Sequence, residues 1–384
     1  MRPVTLMEVA GPKGMVDAFD CYSLSSDEPG EFHVACTTST MALVSIVMRV
    51  KGSRLTASDE WHREARSRSW HVVADAPAVA ASGPAFFTAR EDGHFHAYTV
   101  DGNPCWSHDF SATVSEFKLY ADPFTGERVL VIPSLDKTLR LLTASDGRLV
   151  WGDTFQSGVN VVDHCLLDDG ETHVIFAGGN DCTLRCYKRK KSEKLGAYKM
   201  AWFHKFESYV RDVSASPGGQ VAAVADDGFL KVLAIKDGSI LWRHEHNSFA
   251  WKCKLLQDSG KVISTSYQLP LAVDESGQKM GNPGVVTCHE LGTGKLLWST
   301  KPEDGVNVSA WSTIGTGTER YLLLGTTSGD VIVMEIASGA IAQRLKVPHM
   351  VNHIAAYRLP GGRTVIVGCQ ECEAGSLFAG VEQD

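Results

Sequence analysis

The sequence of 384 residues predicts an all-β fold: a closed β-propeller of four-stranded antiparallel blades, eight in number, with seven as the alternative. Three observations favour this fold. A glycine followed by an apolar or tryptophan-bearing segment recurs along the chain, four short strand patterns return between consecutive glycines, and helical spacing is nearly absent. The hydrophobic content of 43% is enough for a large core.

The recurring glycines define the period. Successive members are 50, 45, 49, 42, 56 and 45 residues apart, which is the length of one propeller blade. The glycines are Gly52, Gly102, Gly147, Gly196, Gly238, Gly294 and Gly339. This regular spacing indicates one supersecondary unit that is repeated along the chain.

Residues 207–242 show the repeated unit most clearly. Four strand patterns alternate with turns, and the turn at Asp226-Asp227-Gly228 uses glycine for a backbone conformation that other residues resist. The strand patterns cover 210–216, 220–225, 229–235 and 239–244. Equivalent patterns return over 116–151, 160–198 and 306–343, and a divergent first unit covers 16–55. Each unit is therefore predicted to form one antiparallel blade.

The two ends of the chain predict closure. The last unit, about 351–381, contains only three strand patterns, and an N-terminal strand at about 3–10 supplies the fourth. Such pairing removes open sheet edges, which favour aggregation. Residues 1–384 are thus predicted to form a single domain. The one expected helix is short and covers 58–68, with Ser58 as its N-cap.

Three segments resemble the repeat of quinoprotein-type (PQQ-like) propellers, whose motif ends in Thr/Asp-Gly-x-x-x-Trp. They are residues 142–151, 232–242 and 286–298. Residues 213–219 are also similar to the first turn of WD repeats. The resemblance covers nearly the whole chain and implies the fold alone. It implies blade-locking structural roles for Trp106, Trp151, Trp242 and Trp298, and a weaker junction at Gln343, which departs from the motif.

Charge and composition limit the class of partner. A net charge of −8 and a pI near 6.0 disfavour a broad surface for nucleic acids or acidic membranes. Neither a signal-peptide pattern nor an apolar run of membrane-spanning length is found. The ten cysteines are irregularly spaced, which favours reduced thiols over a disulfide framework. We therefore expect a cytoplasmic protein that contacts neither nucleic acid nor membrane.

The motifs predict neither an enzyme nor a bound cofactor. Quinone dehydrogenases, which the chain resembles in fold, commonly have an adjacent Cys-Cys pair, and this sequence has none. Cys369-x-x-Cys372 offers two thiols where a structural zinc needs four ligands, so a turn is the better interpretation. The pairs His94/His96 and His244/His246 share a strand face, but each lacks a third ligand in the sequence.

Three segments are candidates for a partner interface. The first is an insertion at 268–284, and its candidate residues are Leu269, Pro270, Leu271 and Met280. The second is 58–68, where Trp61 and Arg63 belong to residue types that are frequent at interfaces. The third is the basic run Lys188, Arg189, Lys190 and Lys191, which is expected in a turn.

The leading hypothesis is a non-enzymatic scaffold or regulatory subunit of a larger cytosolic complex, which binds a protein partner through propeller loops. An alternative is a small-ligand sensor or enzyme that uses the central funnel. A third interpretation is membrane-linked, by similarity to the eight-bladed lipoprotein of bacterial outer-membrane assembly, but the sequence lacks a lipoprotein signal.

Overall fold

The computed structural model describes residues 4–9, 12, 14–24, 27–52, 54–65, 67–75, 83–267, 284–302, 308–314, 320–359, 362–372 and 377–382. Over these ranges the chain forms eight four-stranded antiparallel sheets, each of which is one blade. The helical content of the same ranges is a single 3₁₀ turn, Gln257–Ser259, and no helix there is long and apolar enough to cross a membrane. The predicted β-propeller fold is confirmed, with eight blades and not seven.

The blades group into two compact units. Unit 1 comprises Met1–Ser115, Ser145–Gly147 and Ser309–Asp384, and unit 2 comprises Glu116–Ala144 and Arg148–Val308. We number the blades 1 to 8 from β2 onward, so that blades 1, 2, 7 and 8 belong to unit 1 and blades 3 to 6 to unit 2. The organisation of residues 1–384 as one domain stays a prediction.

The strands of unit 1 form four blades. Blade 1 contains β2 (Val16–Tyr22), β3 (Glu31–Thr38), β4 (Ala42–Lys51) and β5 (Arg54–Glu64). Blade 2 contains β6 (Ser69–Ala74), β7 (Phe86–Arg90), β8 (His94–Tyr98) and β9 (Pro104–Asp109). Blade 7 contains β26 (Val308–Ile314), β27 (Tyr321–Thr326), β28 (Asp330–Glu335) and β29 (Ile341–Lys346). Blade 8 contains β30 (Val351–Arg358), β31 (Thr364–Gln370), β32 (Leu377–Glu382) and β1 (Val4–Glu8).

The strands of unit 2 also form four blades. Blade 3 contains β10 (Lys118–Ala121), β11 (Arg128–Pro133), β12 (Thr138–Thr143) and β13 (Leu149–Thr154). Blade 4 contains β14 (Val159–Leu166), β15 (Thr172–Gly179), β16 (Thr183–Lys190) and β17 (Lys199–Lys205). Blade 5 contains β18 (Val210–Ser216), β19 (Gln220–Ala225), β20 (Phe229–Ala234) and β21 (Ile240–Glu245). Blade 6 contains β22 (Phe249–Leu256), β23 (Lys261–Tyr267), β24 (Val286–Glu290) and β25 (Leu296–Thr300).

The first strand of the chain completes the last blade, as predicted. β1 pairs antiparallel with β32, and Val4 lies opposite Glu382. Gln343 of β29 reinforces this pairing, because its side-chain amide hydrogen-bonds both the N–H and the carbonyl of Val4. The N-terminal strand is therefore held by blade 8 through its backbone and by blade 7 through one side chain.

Burial explains the sequence pattern of each blade. The second strand, such as β19, is buried at almost every residue because both of its faces are covered, and it therefore reads as a continuous apolar run. The fourth strand, such as β21, keeps one face exposed, so its residues alternate between partly buried and exposed. The core of each unit thus lies between the middle strands of neighbouring blades.

Side-chain oxygens connect the inner strands of adjacent blades. In unit 2, Asp163 Oδ2 accepts the Ala215 N–H at 2.8 Å, and Ser214 Oγ accepts the Leu255 N–H at 3.0 Å. In unit 1, Asp20 Oδ2 accepts the Ala74 N–H at 2.8 Å. Burial of Asp20 raises its pKa to about 6 even though this hydrogen bond favours the carboxylate.

The predicted helix over 58–68 is wrong. Residues 54–64 form β5, the outer strand of blade 1, which extends this blade from the expected limit of residue 55 to residue 64. The physical reason is the two-residue alternation of exposed and half-buried side chains, in which Leu55 and Ala57 pack on the core of unit 1. A polar strand of this length resembles a helix in sequence because its exposed face contains charged residues.

Candidate functional site

A β-bulge recurs near the start of the inner strand in six of the described blades. One extra residue at each bulge has no opposite residue on the second strand, and the side chain is redirected from the regular pleat. These bulge residues are Asp17, Trp70, Asn160, Arg211, Trp251 and Asn352. The fold thus presents one irregular side chain at the same end of each of these blades.

In unit 2 two adjacent bulges form an aromatic and basic cluster. The Arg211 guanidinium lies 5.5 Å from the Tyr209 ring centre and 5.9 Å from that of Trp251. The Trp251 and Tyr267 rings lie 5.2 Å apart. Phe249 completes the set, which we call the aromatic–arginine surface: Tyr209, Arg211, Phe249, Trp251 and Tyr267.

The aromatic–arginine surface exposes apolar area that the fold does not use. Tyr209 is 44% exposed and Phe249 is 36% exposed. Arg211 is held in place by Asp226, whose carboxylate accepts the Arg211 Nε–H at 2.7 Å. Because the ion pair orders the guanidinium and lowers its net charge, the surface is suited to contacts with a protein more than to a strongly charged polymer.

A cavity of about 270 Å³ lies beside this surface. Its lining includes His244, His246, Ser248, Ser266 and Lys301; in blade 6, Ser248 precedes β22, Ser266 lies on β23 and Lys301 follows β25. Burial, together with the nearby His244 and His289, lowers the pKa of His246 to about 3. Neutral imidazoles and hydroxyls therefore line a cavity of a size suited to one side chain.

The histidine pair on β21 has a third neighbour that the sequence did not reveal. The His289 ring on β24 lies 4.3 Å from the His244 ring, and the His244 and His246 rings lie 4.9 Å apart. Burial and the nearby His244 lower the pKa of His289 to about 4. Both ring nitrogens of His289 are buried without a hydrogen-bond partner among the described residues. Only the antiparallel pairing of separate strands brings these histidines together.

The predicted insertion lies mostly outside the described residues. Leu269, Pro270, Leu271 and Met280 belong to the range 268–283, which is not described. Its two flanks are described, and Tyr267 at the first flank belongs to the aromatic–arginine surface. The role predicted for these four residues stays a prediction.

The second predicted segment has a different structure from the one expected. Trp61 lies on β5, partly buried, with its ring 5.6 Å from that of Phe86 and against Gly102 of the next blade. Arg63 lies over the Trp61 ring and donates to the Asp101 carbonyl at 2.8 Å. Trp61 therefore occupies the position expected of a blade-locking tryptophan, which the helix prediction obscured.

The predicted basic turn is also wrong. Lys188, Arg189 and Lys190 lie within β16, and only Lys191 follows it. Arg189 is fully buried, forms an ion pair with buried Asp122, and lies 4.9 Å from the Phe124 ring centre. The alternation of the strand turns Arg189 inward, and a carboxylate of the preceding blade offsets its charge.

Arg189 belongs to a buried polar network between blades 3 and 4. The His173 and Tyr198 side chains are hydrogen-bonded at 2.7 Å, and His164 Nδ1 lies 3.2 Å from His173 Nε2. Burial lowers the pKa of His164 to about 4 and that of His173 to about 3. The Tyr120 ring of blade 3 stacks on His164 with ring centres 3.8 Å apart, so these groups connect blades 3 and 4.

Three of the four predicted tryptophans, Trp106, Trp151 and Trp242, contact the next blade. The Trp242 indole donates to the Leu291 carbonyl at 2.7 Å, and its ring covers Gly294 so closely that a Cβ there would lie 2.6 Å from it. Trp106 covers Gly147 in the same way. Trp151 packs on Tyr187 and Tyr198, and Trp298 is partly buried on β25. Trp202, which was not predicted, covers Gly238.

The remaining predicted ligand pairs have different surroundings. His94 and His96 share a face of β8 with ring centres 6.1 Å apart. Cys369 is buried at the end of β31, where burial raises the pKa of its thiol to about 12, and Cys372 follows the strand. All ten cysteines are free thiols, and burial also raises the pKa of Cys165 to about 12.

One three-residue cluster in unit 1 has metal-ligand chemistry. One potential ligand atom from each of Asp27, Glu31 and His33 lies within 4.8 Å of the others. His33 already hydrogen-bonds Asp27 and Glu60, each at 3.0 Å. Burial lowers the pKa of His33, but these two carboxylates raise it overall. A histidine that is held protonated between two carboxylates acts as their buried cation, and not as a metal ligand.

The comparisons with known proteins agree with this architecture. A family profile described as outer membrane protein assembly factor BamB matches residues 43–185. The computationally designed Ika8 protein is 15% identical, with a TM-score of 0.69 and coverage of 98% of each chain. BamB from Moraxella catarrhalis is 16% identical, with a TM-score of 0.62 and coverage of 98% of this chain and all of the other. No curated protein matches the sequence.

These similarities support the resemblance to PQQ-like propellers that the repeat motif indicated. The similarity to WD repeats stays a prediction. The chain therefore has an eight-bladed β-propeller fold, and residues 43–185 match the family profile described as outer membrane protein assembly factor BamB.

Proposed function

We propose that the protein is a non-enzymatic scaffold or regulatory subunit that binds a protein partner through the aromatic–arginine surface of unit 2. The observation that carries this proposal is the exposure of Tyr209 and Phe249 beside Arg211 and Trp251, at two adjacent bulges. Aromatic residues and arginine contribute most of the binding energy at protein interfaces. The bulge residues Arg211 and Trp251 have no opposite residue on the second strand, so their side chains are available for recognition.

The neighbouring cavity supports a binding role with some specificity. An aromatic or aliphatic side chain of the partner would enter the cavity of about 270 Å³ beside Ser248 and Ser266. Ser248 and Ser266 are the chain neighbours of Phe249 and Tyr267, so one partner segment could contact both the cavity and the aromatic–arginine surface. Bacterial BamB, which shares the fold, carries the description of an assembly factor, and this description agrees with an interaction role.

A cytosolic complex is part of the proposal. Ten free thiols, several of them buried with a raised pKa, are typical of a reducing compartment. Catalysis is not proposed, because the described titratable clusters are ion pairs and neutral histidines without a nucleophile beside a base. The alternative of a small-ligand sensor or an enzyme stays a prediction.

Affinity purification from native cells tests the proposed function. We would compare the wild-type protein with the double variant Tyr209→Ala/Phe249→Ala and with the control Phe203→Ala. Phe203 lies on the outer strand β17 and is 60% exposed, so the control removes a more exposed aromatic ring than either substitution of the double variant does alone. A partner in near-equal amount that is retained by the control and lost by the folded double variant supports the proposal. Equal retention by all three proteins contradicts the proposed surface.

A further inference from the structure

Blade 2 contains an arginine at a position that requires only a small residue. The register pairs Arg90 with Ser69, the first residue of the bulged inner strand. At the same register position four other bulged blades have Thr38, Gly179, Ala225 and Ser266. Blade 8 has Gln370 there. The other bulged blades thus form without a charged residue at this position, and the presence of Arg90 needs a separate reason.

The charge of Arg90 has no ion-pair partner among the described residues. Arg90 is only 4% exposed, its Nη2 donates to the Tyr98 hydroxyl at 3.0 Å, and its Nε is buried without a partner in the described structure. Asp92 interacts with this charge only at longer range and accepts the His94 N–H at 3.1 Å. A buried guanidinium without a carboxylate beside it is costly, since desolvation removes its water and the Tyr98 hydroxyl replaces only part of the lost hydrogen bonding.

Arg90 lines a cavity of about 490 Å³ within unit 1. The cavity lies between the outer strand of blade 1 and the end of blade 2, and Arg63, His96 and Ser107 also line it. Two carboxylates border the cavity, but Glu64 and Asp109 are both exposed, and Asp109 is hydrogen-bonded to His94 at 2.5 Å. The buried positive charge therefore has access to the cavity, whereas the negative charges lie in solvent.

His96 is arranged as a second donor. In blades 3, 4 and 5 the residue four positions after the turn aspartate is basic, namely Arg140, Arg185 and Lys231. His96 occupies the same position in blade 2, four residues after Asp92. Burial, together with the nearby Arg90 and His94, lowers the pKa of His96 to about 4. A negative charge in the cavity would raise this pKa and turn the imidazole into an additional cationic donor.

We propose that this cavity binds a small oxyanion, a phosphate or carboxylate group, with Arg90 as its principal donor. The planar guanidinium presents N–H groups in a fork that matches two oxygens of such a group. Arg63 at the cavity wall adds a second positive charge. This inference goes beyond the proposed function and is independent of it, because the aromatic–arginine surface lies in unit 2.

Ligand-dependent thermal unfolding of the full chain tests the proposal. Inorganic phosphate and acetate would be titrated separately at constant ionic strength against wild type, Arg90→Ser and the control Arg54→Ser. Serine is the residue of blade 6 at this register position, and Arg54 is an exposed arginine on β5. A saturable rise of the Tm in wild type and the control is expected with at least one anion, and the anion that produces it identifies the oxyanion class.

In Arg90→Ser we expect the affinity to fall by about tenfold to 100-fold, since a charge-assisted hydrogen bond contributes about 1.5–3 kcal/mol. Without added oxyanion this variant should be at least as stable as wild type, because it removes an uncompensated buried charge. A second variant, Arg90→Lys, keeps the charge but loses the fork, and its binding should weaken as well.

Histidine NMR provides a readout that a purely structural Arg90 would not change. Phosphate or acetate should raise the His96 pKa in wild type and in Arg54→Ser, and should leave it unchanged in Arg90→Ser. The proposal is overturned if neither anion raises the Tm, or if both raise it equally in all variants, as general exclusion from protein surfaces would do. It is also overturned if Arg90→Ser unfolds in the absence of oxyanion while Arg90→Lys binds as wild type does.

Discussion

Gln343 binds both backbone polar groups of Val4. Its Oε1 accepts the Val4 N–H at 3.0 Å, and its Nε2 donates to the Val4 carbonyl at 2.6 Å. Gln343 occupies the outer-strand position that a tryptophan occupies in blades 1 to 6, where the sequence predicted a weaker junction. The side-chain amide thus replaces an apolar lock with two hydrogen bonds, and these bonds hold the strand that completes blade 8.

We predict that Gln343→Ala loosens the N-terminal strand. Loss of both hydrogen bonds leaves the partly buried polar groups of Val4 with fewer partners, which should lower the free energy of unfolding by about 1–3 kcal/mol. Urea unfolding measures this change, and hydrogen exchange of the Val4 amide localises it. Ile341→Ala is the control, because its side chain lies on the same strand and is exposed. Equal effects of the two variants would contradict the role given to Gln343.

We predict that the buried pair Arg189 and Asp122 is essential to the junction of blades 3 and 4. Arg189→Ala leaves a buried carboxylate without its cation, and the free energy of unfolding should fall by about 3–5 kcal/mol. Lys191→Ala, at an exposed side chain in the same basic run, should change it by less than about 1 kcal/mol. Urea unfolding distinguishes the two, and similar losses would show that Arg189 is not specially buried.

We predict that Gly294 is required by the ring of Trp242 as well as by its backbone conformation. Gly294 has φ +73, and an added Cβ would lie 2.6 Å from Trp242. Gly260 has a similar φ of +62, but nothing lies within 4 Å of its Cβ position. Gly260→Ala should therefore cost about 1 kcal/mol of conformational strain, and Gly294→Ala clearly more. Thermal unfolding compares the two, and equal costs would refute the tryptophan contact.

We predict that acid destabilises the protein in part through His246 and His289. Their folded pKa values are lowered to about 3 and about 4, whereas an unfolded histidine titrates near 6.5. Below pH 6.5 the unfolded chain therefore binds more protons, so that stability is fully present above this pH and is lost as the pH falls toward 4 and 3. Each histidine contributes a slope of up to about 1.4 kcal/mol per pH unit.

The variant His289→Leu should reduce that slope by the share of one histidine. Urea midpoints between pH 7 and pH 5 provide the measurement, and His62→Leu, at an exposed residue of β5, is the control. A slope that is the same in wild type and in His289→Leu would mean that His289 is accessible to protons in the folded state.

The fold was predictable because its signals are local and repeated. Turn glycines and the tryptophan after them recur at a nearly constant period, and the three-stranded C-terminal unit left one edge for residues 3–10 to complete. The error at 58–68 arose because a strand with one exposed face contains few apolar residues. The error at Arg189 arose because a lysine- and arginine-rich run does not reveal which of its members points inward.

The candidate site was less predictable, since it depends on register. Arg211 and Trp251 are bulge residues only because Val210 and Ala250 pair with Ala225 and Ser266, and the sequence does not fix those pairs. One signal was present in the sequence, namely an aromatic residue two positions before each of these two bulge residues, at Tyr209 and Phe249. The third histidine and the pocket of Arg90 require strands that are distant along the chain.

Site-specific photo-cross-linking in native cells tests the central claim most directly. A photoreactive phenylalanine analogue would replace Phe249 on the aromatic–arginine surface, and in a parallel protein Phe203 on the outer strand β17. The account predicts one dominant cross-linked protein at position 249, with little or none at 203, and its loss when Tyr209→Ala is added. Equal cross-linking at both positions, or a product at 203 alone, would contradict a partner-binding role for this surface.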